Sequence, residues 1–388
     1  MGAASVALAG FASAGARGAG AASPITETTL VQLPANKTLP PVVLFDVAVD
    51  PTADIVAVTG DGEAGKVSDG LGGGRVCLIN GRSHKIIAAV KLYGAQQAGV
   101  AFDPNTNSFV VADPDLPGKL TTTSGPEQVN GAMVEIDPHS GRIVKTVPIN
   151  SISGGVDVDP VHKAIYLTGP SYSVTRVDAR TGAVVTPPTI QPEIPYPNSI
   201  SVDPRKDTVY VAGGSSEGTT GVWEVNQPAD TDLGFTNDGH PPVTMATRGQ
   251  PTGIVTNPAT GDSYVSWVYT DTHITVFKRG HHGGHAFKIN GSNGTVQFGL
   301  AMDAGRNQLY ASSTEELEGC PNMITEFSGR TNAVLGTVYG VVGAGALAVD
   351  PNAHMVWATN GGKLASFREG LTDKRPKCGT GGGITLGG

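Results

Sequence analysis

The stretch GGVDVDP, Gly154 to Pro160, constrains the fold more than any other part of this chain, because it recurs. FDVAVDP ends at Pro51, AGVAFDP at Pro104 and NSISVDP at Pro204; TGIVTNP, FGLAMDA and GALAVDP, ending at Pro258, Ala304 and Pro351, are looser copies. The aligned residues are Asp50, Asp103, Asp159, Asp203, Asn257, Asp303 and Asp350, separated by 53, 56, 44, 54, 46 and 47 residues. That spacing is the period of propeller blades, so seven copies predict seven blades.

Each copy reads as strand a, a Pro-containing turn and strand b, as in DIVAVTG, KAIYLTG or HMVWATN. A later run such as GAMVEIDPHSGRIVKTVPI carries Asp, polar residues and Gly between two apolar segments, the chemistry of a tight hairpin joining strands c and d. One four-stranded sheet cannot bury both faces alone, and stacking sheets about an axis gives each a covered neighbour. The expected fold is therefore all-β: a seven-bladed β-propeller of four-stranded blades over residues 28–370. Nothing after Lys363–Gly370 reads as a fourth strand for the last blade, and TTLVQLP, Thr28 to Pro34, is expected to supply it, removing an open sheet edge. Residues 371–388 are Gly-rich and read as a flexible tail. Residues 1–22 read as an export signal or a disordered arm, with a small and apolar run from Gly2 to Ala16 before Ala-Gly-Ala.

Composition supports many short strands joined by turns: Gly 54 and Pro 27 accompany repeated Val- and Tyr-rich runs. A formal net charge of -8 lacks the positive field that holds a phosphate backbone, which argues against nucleic acid as a partner. No other run is apolar enough to span a membrane, so the expected mature chain is soluble, monomeric, and secreted, periplasmic or in the cell envelope. Cys77, Cys320 and Cys378 form no CxxC motif; Cys77 reads as a buried strand residue, and export would permit a Cys320–Cys378 bridge.

VDARTGAVV (Val177 to Val185) and ISVDPRKDTVYVAG (Ile200 to Gly213) resemble the repeats of YVTN/YncE-type propellers, and the likeness extends over residues 28–370. The wider superfamily includes lactone hydrolases, quinone- and haem-dependent enzymes and binding proteins, so the resemblance implies architecture rather than one chemistry. Similarity to its calcium-dependent lactonases implies metal ligands five residues before the aligned Asp. Asn198 stands at a matching position, Phe45 and Thr252 occupy the other two, and Asp46 is adjacent, which makes Asn198 and Asp46 the candidate ligands of a divalent cation such as calcium.

The seven positions at that level are Phe45, Ala98, Gly154, Asn198, Thr252, Phe298 and Gly345, with no Arg or Lys to hold a carboxylated quinone. Long b-to-c loops are expected to gather on the face where strand a begins, and they carry Asp61, Glu63, Asp69, Asp113, Asp115, Glu127, Glu217, Glu315, Glu316 and Glu318. These form a cation-binding mouth or, more commonly, a set of solvated carboxylates. HHGGH, His281 to His285, falls in a c-to-d hairpin on the other face. The ligand site is expected where Tyr196, Asn198, Thr252 and Trp267 converge between the fourth and fifth blades, with Asp46 as a further member. Aromatic and neutral polar groups there suit a peptide-like or carbohydrate-like ligand. The functional expectation is an exported binding or protein-interaction module; the alternative is a lactonase-like metal-dependent hydrolase.

Overall fold

The structure, a computed structural model, describes residues 29–32, 43–61, 74–92, 98–113, 131–149, 152, 154–169, 173–185, 197–206, 208–214, 220–226, 250–268, 273–279, 284–288, 296–313, 323–339, 345–360 and 363–370. After β1 (Thr29–Gln32), a first antiparallel sheet runs β2 (Val43–Asp50), β3 (Ile55–Asp61), β4 (Arg75–Asn80) and β5 (Ile86–Lys91). The second is β6 (Val100–Asp103), β7 (Ser108–Asp113), β8 (Gly131–Ile136) and β9 (Ile143–Ile149). The third is β10 (Val156–Asp159), β11 (Ala164–Gly169), β12 (Ser173–Asp178) and β13 (Val184–Val185). The fourth contains β14 (Pro197–Asp203), β15 (Thr208–Gly214) and β16 (Thr220–Asn226). The fifth is β17 (Gln250–Thr256), β18 (Ser263–Val268), β19 (His273–Phe277) and β20 (Gly284–Lys288), and the sixth β21 (Val296–Asp303), β22 (Gln308–Ser313), β23 (Met323–Ser328) and β24 (Val334–Tyr339). The closing sheet is β25 (Leu347–Asp350), β26 (Met355–Asn360) and β27 (Lys363–Arg368), with β1 added outside β27.

The recurring Asp or Asn is what turns strand a into strand b. Asp50 Oδ1 accepts the backbone N–H groups of Thr52 (2.9 Å) and Ala53 (3.1 Å), and Asp159 does the same for Val161 and His162. Asp350 repeats it with Asn352 and Ala353, and Asn257 with Ala259. These side chains stand in for water at donors the turn would otherwise bury unpaired. Four residues further on the chain takes a left-handed conformation, at Asp54, Asn107, Lys163, Gly261, Asn307 and His354, with φ between 52° and 77°. Only a turn of defined geometry needs that, which is why the repeat survives wide variation elsewhere.

A second recurring group stands nine residues after the first. Thr59, Thr168, Ser312 and Thr359 each use their hydroxyl to accept an N–H from the beginning of the paired inner strand, from Asp46 (3.1 Å), Gly155 (2.9 Å), Gly299 (3.1 Å) and Ala346 (2.9 Å) respectively. The Thr59 and Ser312 bonds fall where the inner strand breaks register, between Leu44 and Val47 and between Val296 and Leu300.

Apolar side chains meet between sheets. Ala48, Ala57 and Leu78 of the first sheet pack on Val100, Phe109 and Val134 of the second. The same arrangement repeats at each successive interface, and Trp357 and Leu364 of the closing sheet pack on Val47, Val56 and Ile79 of the first, so the ring is shut. Middle strands are covered on both faces, and β7, β8 and β11 are buried throughout. Truncating a large core residue such as Phe109 or Tyr310, both fully buried, should cost about 3–5 kcal/mol. Asn352 Nδ2 crosses the same junction to donate to Pro51 O (2.6 Å), as Asn105 Nδ2 does to Pro160 O between the second and third sheets.

The molecule is thus an all-β propeller closed by an N-terminal strand, with Thr29 to Gln32 paired against Ser366 to Lys363. Four strands per blade hold in six sheets. The fourth sheet has three among the described residues, and 227–249, which follow β16, lie outside them.

Candidate functional site

An innermost strand has a partner on one side only, so its other edge presents backbone groups toward the axis. Here β2, β6, β10, β14, β17, β21 and β25 surround a channel of about 990 Å³. Side chains bridge adjacent inner strands along its wall. Asp46 Oδ2 accepts the N–H of Val100 in the next sheet (2.9 Å), while Oδ1 accepts that of Val47 (2.8 Å). Asp157 links the third and fourth sheets in the same way, with Oδ2 on Val202 N–H and Oδ1 on Val158 N–H, both 2.8 Å. Ser199 Oγ and Ser201 Oγ carry the scheme from the fourth sheet to the fifth, accepting from Ile254 (3.2 Å) and Thr256 (2.9 Å). Thr59 Oγ1 adds a second link between the first and second sheets, donating to Ala98 O (2.5 Å).

Burial pushes the Asp46 and Asp157 carboxyls up to about 6, against the N–H bonds that favour their ionised forms. Each oxygen accepts one backbone N–H and keeps a further lone pair. Among the described residues, no group of three or more His, Cys, Asp or Glu side chains could hold a metal ion.

The structure places two of the expected site residues, Thr252 and Asp46, on the channel wall and one, Trp267, in the core. Thr252 lines the channel from the fifth sheet, with Oγ1 3.3 Å from Ser266 Oγ, and Asp46 and Phe45 line it from the first. Asn198 lies on β14 at the register break between Pro197 and Ser199; its side chain, and Tyr196 altogether, lie outside the described residues. Trp267 is fully buried between the fourth and fifth sheets with Tyr210, Ile254 and Phe277, and its indole N–H donates to Thr275 Oγ1 (3.0 Å). It is a core residue and leaves the channel wall to others. Asp113, expected among loop acids, is fully buried at the end of β7. The side chain of Asp61 and the whole of Glu63, Asp69, Asp115, Glu127, Glu217, Glu315, Glu316 and Glu318 lie outside the described residues, as do His281, His282, Cys320 and Cys378. His285 is exposed on β20, and Cys77 is a buried free thiol.

Asp157, Ser199 and Ser201 were absent from the expected site. Their signal was a departure from the repeat: Asp157 stands two residues before the recurring Asp, where the other copies carry Ala, Ser or Val.

No family of proteins and no curated protein matches this chain in sequence. Solved structures do. Chaetomium thermophilum Raptor aligns with a TM-score of 0.57 at 8% identity over 87% of this chain, which spans only 29% of Raptor. The Cps50 (Swd1) β-propeller domain of Myceliophteria thermophila aligns with a TM-score of 0.61 at 11% identity, over 90% of this chain and 99% of that domain. At such identities the likeness is one of architecture, and it joins the sheet order in making this chain a β-propeller.

Proposed function

We propose that the chain is a binding module, a seven-bladed propeller when the three-stranded sheet is counted as a blade, that takes a peptide-like or carbohydrate-like ligand at the mouth of its channel. The VDARTGAVV repeat supports placing it beside the YVTN/YncE-type propellers. The observation that carries the functional reading is the engagement of Asp46, Asp157, Ser199 and Ser201 with the N–H groups of neighbouring strands. A carboxylate held in that way is a poor proton carrier, because moving its proton would loosen the wall. It remains a good acceptor in a rigid surface, suited to a ligand rich in hydrogen-bond donors. Thr252 and Phe45, with Asn198 on the strand beside Thr252, stand at the level where such a ligand would enter.

Titrating the purified chain with short peptides and oligosaccharides tests this. Saturable binding is expected, weakened about tenfold by Thr252→Trp, which narrows the mouth, and unchanged by Trp267→Phe. Calcium-dependent hydrolysis of a lactone panel, lost in Asp46→Asn, would replace the binding reading with a metal-dependent hydrolase.

A further inference from the structure

Eight large apolar side chains are exposed among the described residues, and seven of them stand at the beginning of an outermost strand. They are Ile86 and Ile87 on β5, Ile143 and Val144 on β9, Val184 on β13, and Val334 and Leu335 on β24. The fold does not require this. The same two positions on β20 are Gly284 and His285.

Consecutive residues of a strand point to opposite faces of its sheet. At both pairs a register shift interrupts that alternation, Leu78 pairing with Ala88 but Ile79 with Ile86, and Glu135 with Lys145 but Ile136 with Ile143, so Ile87 and Val144 are the extra residues of bulges on edges that have no partner strand among the described residues. An extended segment laid along such an edge would cover these side chains and pair with the regular backbone beyond each bulge. The two edges are neighbours, because the β8–β9 turn comes over β5: a Cβ on Gly141 would meet Ala88 and Val90.

Charge selects the occupant. Lys85 and Lys91 flank the β5 pair and Arg142 precedes the β9 pair, all exposed, in a chain whose formal net charge is -8. Lys145 is paired with Glu135 (2.8 Å), and Asp137 caps its own turn through Ser140, whose bonds hold its carboxyl below the usual range. Two cationic rims repel each other, which disfavours a second copy of this chain, and the convex curve of a ring keeps a planar membrane off adjacent blades. We propose that the outer edges of the first and second sheets are a docking edge for an extended, acidic and apolar segment of a partner protein, which adds to β5 or β9 as a further strand.

The probe is a fluorescent peptide of about ten residues, long enough to pair along one outer strand, that alternates glutamate with valine. Saturable binding is expected, weakened at least about tenfold by Ile86→Asp with Ile143→Asp and by Lys85→Glu with Arg142→Glu, and weakened as salt rises. These positions are exposed, and an unchanged thermal melt establishes that each variant is folded. Methylating alternate backbone nitrogens of the peptide should abolish binding, since it removes the donors that a ladder uses. Undiminished binding of the methylated peptide overturns strand addition, and equal binding of a lysine–valine peptide overturns the acidic partner. Sedimentation showing a wild-type dimer lost in the isoleucine variants would install a second copy instead. Anionic vesicles that bind the wild type but not the cation variants, without peptide binding, would install a membrane. Channel ligands should bind every rim variant normally, so a failure here and a failure of the channel reading remain distinct.

Discussion

The two edges of a blade meet opposite fates in this molecule. On the inside, edge N–H groups of Val100, Val202, Ile254 and Thr256 are met by Asp46, Asp157, Ser199 and Ser201. On the outside, β5 and β9 begin with bare isoleucine and valine. Both places pose the same problem, a sheet that stops. The inner edge is closed by the chain's own polar side chains because no other strand fits around the axis. The outer edge is left to Lys85, Lys91 and Arg142, which deter unwanted strands without satisfying the backbone.

The sharpest way to break this contrast is to unmake the outer edge of the closing sheet, which the chain covers itself. Deleting residues 29–32 removes β1 from β27 and should cause aggregation or the loss of several kcal/mol, read by sedimentation and chemical denaturation. Equal stability and a monomeric state would mean that ring closure does not depend on β1.

Next in size is the effect of pH on the buried acids. Asp46 and Asp157 are pushed up to about 6 by burial, and Glu369, buried beside Asp303 with Arg306 Nη1 2.6 Å away, up to about 8. A carboxyl whose folded value lies above its unfolded value favours folding most when protonated. Its contribution is complete below about pH 4 and is lost as pH rises through 6 for the two aspartates and through 8 for Glu369. The melting temperature should therefore fall between about pH 4 and 8, and Glu369→Gln should flatten the upper part of that slope. A slope unchanged in the variant would remove Glu369 as its source.

Asp157→Ala strands the Val202 N–H on the channel wall and should cost about 2 kcal/mol, seen as a lower denaturation midpoint. At the small end, Ile143→Ser and Val144→Ser should change stability by less than about 0.5 kcal/mol, because nothing described covers those side chains. A large loss there would show that the outer pairs are packing residues and that the two edges are alike.

The repeat made the turns legible, since a hairpin with a left-handed fourth residue needs a side-chain acceptor where Asp50 and its counterparts stand. It also made the closing strand legible, because an odd strand at one end matched a missing one at the other. The channel wall was harder to read. The register break at the start of β2 shifts the alternation by which a strand's faces are counted, so a straight alignment puts Phe45 at the matching position, and the adjacent Asp46, named there as a cation ligand, makes a bond between sheets instead. Trp267 misled for a related reason: β18 is buried on both faces, and without alternation nothing in SYVSWV distinguishes a residue at the mouth from one in the core.

Pairing β1 with β27 also fixes when the molecule can finish folding. Thr29 lies opposite Ser366, so β1 waits for its partner until more than three hundred further residues have been made. Joining positions that far apart in a flexible chain costs about 5 kcal/mol in loop entropy if nothing intervenes. The sheets made in between shorten that loop as each one docks on its predecessor, and what remains at the end is a local search by a short tether. A truncated product would thus carry an unmatched β1 and an unfinished ring together, one defect open at both of its ends.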